Sequence, residues 1–150
     1  MKLNLGTEKL ISLALLASPV TLADFDYTHG KWVLNPSETV ERRAKNLTLD
    51  EERRAKLTSE VSNAITYWEL DGKNLVYTDN HGKVSSSPYE TRAVDDDTFE
   101  MIFMLNGQQI GGAIRVEQSE MGFCATFMLD HSDVAGQINS HTDCYKRNES

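Results

Sequence analysis

The stretch Ile65-Thr66-Tyr67-Trp68-Glu69-Leu70-Asp71-Gly72-Lys73-Asn74-Leu75-Val76-Tyr77-Thr78 decides the fold. Large apolar residues alternate with polar ones on both sides of Asp71-Gly72, a dipeptide suited to the left-handed backbone of a tight hairpin turn. Two strands, Ile65–Leu70 and Leu75–Thr78, are therefore expected to pair antiparallel. The same grammar continues downstream. His81-Gly82 turns the chain into a weaker strand, Val84–Val94, in which Pro88 marks an edge or bulge. Asp95-Asp96-Asp97 turns it into Thr98–Leu105, and Asn106-Gly107 into Gln109–Gln118, with a bulge expected at Gly111-Gly112. Ser119–Gly122 leads to Phe123–Leu129. The result is an up-and-down antiparallel meander.

Upstream of Ala64 the period is helical. Asn35-Pro36-Ser37-Glu38 carries a cap, a proline at the first helical position and an acid placed for a capping box. Thr48-Leu49-Asp50-Glu51 repeats that start signal. Two helices, Pro36–Lys45 and Leu49–Asn63, are expected, with Leu57, Val61 and Ala64 turned inward; a single bent helix is the competing reading. Glu41-Arg42-Arg43-Ala44-Lys45 recurs eleven residues on as Glu52-Arg53-Arg54-Ala55-Lys56. With acids interleaved, the repeat reads as a solvated face laced by pairs such as Glu38–Arg42 and Glu41–Lys45, not as a basic ridge. Before the helices, Gly30-Lys31-Trp32-Val33-Leu34 is a first strand. The expected class is thus α+β: one domain with a first strand, two short helices, and a curved antiparallel meander of five or six strands forming a half-barrel or roll.

Residues 1–23 have the form of a signal peptide: Lys2 and Lys9, an apolar run from Leu10 to Leu16, and small residues before Ala23. That run is shorter than the ~20 residues a membrane-spanning helix needs. A single exported domain from Asp24 to Ser150, periplasmic or secreted, is expected, with no membrane span after cleavage. The net charge of −8 argues against nucleic acid and anionic lipid as partners. Two cysteines, Cys124 and Cys144, behind a signal peptide are expected to form a disulfide. Closing a loop of about twenty residues would contribute roughly 3 kcal/mol in the chain-entropy model.

Gly30-Lys31-Trp32 at the first strand resembles the lipocalin-like exported proteins. The resemblance implies an antiparallel barrel that holds small apolar molecules and is closed at one end by the Gly-x-Trp strand, with Trp32 in the core. The helical stretch after that strand departs from the family pattern. A strand, helix and meander in this order also resembles the cystatin-like or nuclear-transport-factor-like roll, in which a sheet wraps a helix.

Phe99-Glu100-Met101-Ile102-Phe103-Met104-Leu105 is apolar at nearly every position, which predicts cover on both faces: helix residues such as Leu57 and Val61 on one, a concave surface on the other. Soft side chains suit irregular apolar ligands, so Phe99, Met101, Phe103, Met104 and Phe127 are the candidate ligand-binding residues; an ordinary Met- and Phe-filled core is the competing account. His131-Ser132-Asp133 is echoed by His141-Thr142-Asp143, and His131, Asp133, His141 and Asp143 are the candidate ligands for a divalent metal. Asp95-Asp96-Asp97 lacks the loop pattern of a calcium site. No Gly-x-Ser-x-Gly, His-Glu-x-x-His or phosphate-binding loop is present. The leading expectation is a non-enzymatic binding protein without a cofactor, its partner an apolar small molecule or a protein seated in the concave face. A divalent-metal-binding protein comes second. A small roll-type hydrolase or isomerase, using His29 or His81 with a carboxylate, comes third.

Overall fold

The computed structural model describes residues 25–45, 47–128 and 142–149. A 3-10 turn at Asp26–Thr28 leads into β1 (Gly30–Leu34), followed by α1 (Pro36–Ala44) and α2 (Glu51–Ser62). The remaining strands are β2 (Tyr67–Leu70), β3 (Asn74–Thr78), β4 (Val84–Ala93), β5 (Thr98–Leu105), the two-residue β6 (Gln108–Gln109), β7 (Ile114–Gln118), β8 (Gly122–Phe127) and β9 (Thr142–Arg147). All pairings are antiparallel. The order runs β4-β3-β2-β1-β9-β8-β7-β5, and β4 also pairs with β5, so eight strands close into a barrel. The class is α+β as expected, and the architecture fits a lipocalin-like fold in general.

Two expectations change. Eight barrel strands stand where a first strand and a meander of five or six were expected, and the expected half-barrel is closed. Both changes have one main cause: Thr142–Arg147 is a strand. It pairs with β8 across Cys124↔Cys144 and with β1 across Leu34↔Tyr145, joining the end of the meander to its beginning. Closure pairs each of the eight barrel strands on both sides, leaving only the two-residue β6 at an edge. Cys124 and Cys144 are bonded to each other on directly opposed positions of β8 and β9.

Both helices begin at side-chain caps. Asn35 accepts from the Glu38 amide at 3.4 Å, and Asp50, rather than Thr48, accepts from Arg53 at 2.8 Å. Packing of α1 on the sheet is chiefly with β9. The Thr39 hydroxyl accepts from the Cys144 amide (2.9 Å) and donates to its carbonyl (3.3 Å), taking the place a strand would have beyond the end of β1. The first copy of the Glu-Arg-Arg-Ala-Lys repeat is therefore not a solvated face. Arg42 reaches Glu117 at 2.9 Å, and Arg43 is paired with Asp143 and donates to the Thr142 carbonyl at 3.2 Å. The second copy, on α2, lies exposed.

Strand β5 is also differently dressed from its prediction. Phe99 and Met101 point inward and are fully buried, while Ile102 and Met104 on the opposite face are half-buried. Val61 belongs to the core and Leu57 packs against it, but the helices make their main sheet contact with β9, not β5. A run of outward apolar residues here reflects β-propensity and partial cover by neighbouring side chains rather than a second packed layer.

One end of the barrel is sealed. The Trp32 indole N–H donates to the Thr28 carbonyl at 2.7 Å, and Phe25 packs on Phe99 with ring centroids 4.5 Å apart. Arg147 lies over the Trp32 ring, 4.1 Å from its centroid, and donates to the carbonyls of His29 (2.5 Å) and Tyr27 (3.3 Å). Cation–π attraction and two charge-assisted hydrogen bonds thus tie the last strand to the turn before the first. Two glycines permit this approach. A Cβ on Gly30, whose φ is +120°, would collide with the Arg147 guanidinium, and one on Gly122 would strike the Tyr145 carbonyl and come within 2.8 Å of Trp32. Above the seal, Trp32, Trp68, Phe123 and Tyr145 form a contiguous aromatic cluster with centroid separations of 4.7 to 5.7 Å.

Candidate functional site

Among the described residues, the opposite end of the barrel is not filled. A cavity of about 500 Å³ opens there, within the range of small-molecule sites. Its floor is Trp68, Leu75 and Ile114, all buried; Tyr77 and Phe103 form half-buried walls; Ile110 and Phe127 stand at the rim, each 44 % exposed.

The empty volume has a local origin. Pairing sets Leu75 opposite Ser87 and Tyr77 opposite Ser85, so both serines point inward beside large residues. Where other strands supply Trp, Leu or Phe, β4 supplies hydroxymethyl groups. Across the barrel, β5 pairs with Gln108–Gln109 and then with Ile114–Gln118, and the chain between leaves the ladder. Ile110, Gly111 and Gly112 of that excursion line the mouth. The bulge expected at Gly111-Gly112 thus divides the expected strand Gln109–Gln118 in two.

The lining is uncharged. Among the described residues it contains no carboxylate, imidazole, ammonium or guanidinium. Burial, with the Asp143 and Asp79 carboxylates adding to it, pushes the Tyr77 phenol above its ordinary value of 10.0, so it is neutral at physiological pH. Tyr145, behind Trp68, is raised first by burial, and its hydroxyl lies 3.2 Å from that of Thr66. The Trp68 indole N–H is buried and has no hydrogen-bond partner among the described residues.

Of the five candidate ligand-binding residues, Phe103 and Phe127 line the cavity. Phe99 and Met101 lie deeper, fully buried in the packed core, and Met104 is on the outer face of β5. Trp68, Leu75, Tyr77, Ile114 and the two serines were not singled out in the sequence, although their alternate spacing on β2, β3 and β4 is the signal that places them together. Of the candidate metal ligands, His131, Asp133 and His141 lie outside the described residues. The Asp143 carboxylate is paired with Arg43. Among the described residues Glu38 lies near Cys124 and Cys144, but both sulfurs are spent in the disulfide and offer no thiolate. His29 stands 3.7 Å from Asp26 at the sealed end, both well exposed, and His81 lies in an exposed turn. No helix among the described residues is long and apolar enough to cross a membrane.

Comparison of the chain with protein families, curated proteins and solved structures returned no match.

Proposed function

We propose that the chain is an exported, non-enzymatic binding protein that takes a small apolar molecule into the open end of the barrel. The observation that carries this is the uncharged cavity of about 500 Å³ whose floor and walls are Trp68, Leu75, Tyr77, Phe103 and Ile114. An open cavity walled mainly by apolar side chains gains free energy when apolar matter displaces the water in it, which suits it to an apolar ligand. Phe103 and Phe127 serve this role; Phe99 and Met101 support it from below. Export to the periplasm or the secretory path follows from the signal-like residues 1–23 and agrees with a disulfide, which persists in oxidising compartments. The metal alternative would have to share the Asp143 carboxylate with Arg43, whose guanidinium opposes a second cation there.

Two measurements test this. Native mass spectrometry of protein taken from its own compartment should find an apolar adduct of small-molecule mass. Stripped protein should bind the neutral fluorophore N-phenyl-1-naphthylamine saturably, with one site per chain. Protein that carries no adduct and leaves the fluorophore dark would overturn the proposal. Secreted material should begin at Asp24 or within a few residues of it by intact mass; retention of Met1 would remove the export claim alone.

A further inference from the structure

The disulfide that ties β8 to β9 has a carboxylate of α1 beside it. One Glu38 oxygen lies within 4.8 Å of both the Cys124 and the Cys144 sulfur. The two cysteines are fully buried, and Glu38 is half-buried. The sequence predicts that Arg42, one turn on, neutralises this acid. It does not, because Arg42 is held by Glu117 at 2.9 Å and Arg43 by Asp143. Glu38 instead accepts long contacts from the Ser119 hydroxyl (3.4 Å) and the Asn35 side-chain amide (3.5 Å), and it has no ion pair among the described residues. Its neighbour Thr39 is hydrogen-bonded to both the amide and the carbonyl of Cys144, which fastens this part of α1 to the bonded strand.

We propose that the Glu38 carboxylate is an electrostatic guard that slows reduction of the Cys124–Cys144 bond by thiolates. Reduction by a dithiol begins when its thiolate attacks one sulfur. A mixed disulfide forms, the Cys124–Cys144 bond breaks, and its electron pair leaves on the other cysteine as a thiolate. The second thiolate of the reductant then attacks the mixed disulfide. The reductant departs as its own disulfide, and both cysteines take up protons. The first step places negative charge on a cysteine sulfur. Glu38 is close to both, so it opposes that charge whichever sulfur is attacked. Burial acts in the same direction, because a thiolate is poorly solvated there. Before α1 docks, Glu38 is held to neither cysteine, so the bond forms unopposed and is guarded once folding is complete. The bond so protected links the closing strand β9 to the meander.

The test is the rate at which dithiothreitol reduces the native protein at mildly alkaline pH and low salt, read by alkylation and intact mass. Glu38→Gln should be reduced roughly tenfold faster than wild type, since the charge on the leaving sulfur is only partly developed and solvent screens part of the repulsion. Glu38→Asp keeps the charge and should stay within about threefold of wild type. Glu41→Gln removes the same charge from an exposed position on α1 and should leave the rate unchanged. In guanidinium chloride all four proteins should be reduced at one rate, because the helix no longer holds Glu38 at the bond. Should Glu38→Gln fail to fold, Ser119→Lys decides. It sets an ammonium beside the carboxylate that Ser119 now contacts, and should speed reduction severalfold with Glu38 in place. A wild-type rate in Glu38→Gln, a rate in Glu38→Asp as fast as in Glu38→Gln, or a gap that persists in the denaturant would overturn the guard. So would a wild-type rate in Ser119→Lys where Glu38→Gln does not fold.

Discussion

The two ends of this barrel are built from the same eight strands with the same inward alternation, yet among the described residues one is solid and the other hollow. At the sealed end Phe99, Met101, Val116 and Phe123 are completely buried, and Arg147, Trp32 and the turn at Asp26–Thr28 lock over them. At the open end the inward positions of β4 are Ser85 and Ser87, β7 starts late, and Phe127 and Ile110 remain 44 % exposed. The difference is not one of topology. It lies in side-chain volume at a few inward positions and in one excursion from the ladder. Stability is thereby concentrated at one end and binding capacity left at the other, a division that separates the element that must not move from the element that must admit a ligand.

The largest effect should come from truncating equivalent aromatics on one strand. Phe99 and Phe103 lie four residues apart on the inner face of β5. Phe99→Ala should cost about 3–5 kcal/mol, as aromatic truncations in packed cores do, because Phe25 and the surrounding core cannot collapse into the space. Phe103→Ala should cost under about 2 kcal/mol, since its ring already borders a void and loses fewer contacts, but it should weaken fluorophore binding at least tenfold. Denaturant melts of both variants, read beside fluorophore titrations, check the pair. Equal losses of stability would mean that the open end is as well packed as the sealed one.

A second substitution attacks the hollow directly. Ser87→Leu places an apolar side chain opposite Leu75, in the volume that the serine leaves empty. Stability should stay within about 0.5 kcal/mol of wild type or rise, the usual outcome of filling a cavity without strain. Ligand binding should fall at least tenfold. A loss of stability beyond ~1 kcal/mol would indicate overpacking, hence a site with less free space than the structure has.

How much of this was legible differs between the ends for physical reasons. β1 through β5 and β8 announced themselves through period-two alternation and turn dipeptides, and β1 and β5 fall on their expected limits, Gly30–Leu34 and Thr98–Leu105. Thr142–Arg147 did not. Its inward residues are Asp143, Tyr145 and Arg147, of which only Tyr145 carries apolar weight, so there was no hydrophobic period to see. Its place is set by backbone pairing to two strands and by the disulfide, which are tertiary facts. The site was half-legible in the same sense. Aromatic Phe103 and Phe127 drew attention as large residues do, whereas the cavity owes its existence to small ones. Ser85 and Ser87 read as a weak strand, when their meaning was the absence of volume at inward positions. A search for alternate small residues inside an otherwise apolar meander would have pointed to the hollow end.

The smallest effect concerns the outside of the wall, where β4 and β5 meet to close the barrel. Glu100 accepts from Arg92 at 2.5 Å and from Arg115 at 3.2 Å, a three-strand clasp across the β4–β5–β7 seam. The hydrogen bond from Arg92, assisted by that from Arg115, holds the Glu100 carboxyl below its ordinary value of 4.5. A carboxyl whose folded value is depressed adds stability that is complete above its unfolded value and disappears as pH falls through the folded one. The clasp should therefore be intact at neutral pH and lost progressively below about pH 4.5. Because both arginines are substantially exposed, its worth should not exceed about 1 kcal/mol. Glu100→Gln should accordingly lower the melting temperature slightly at pH 7, and the gap from wild type should close as the pH is taken down to 3. Binding at the open end should be unchanged at pH 7, since Glu100 faces away from the cavity. A gap that widens on acidification would show that the carboxylate is not stabilised in the folded barrel. A loss of binding in the variant would mean that seam and mouth are coupled, and that the two ends are less independent than their packing indicates.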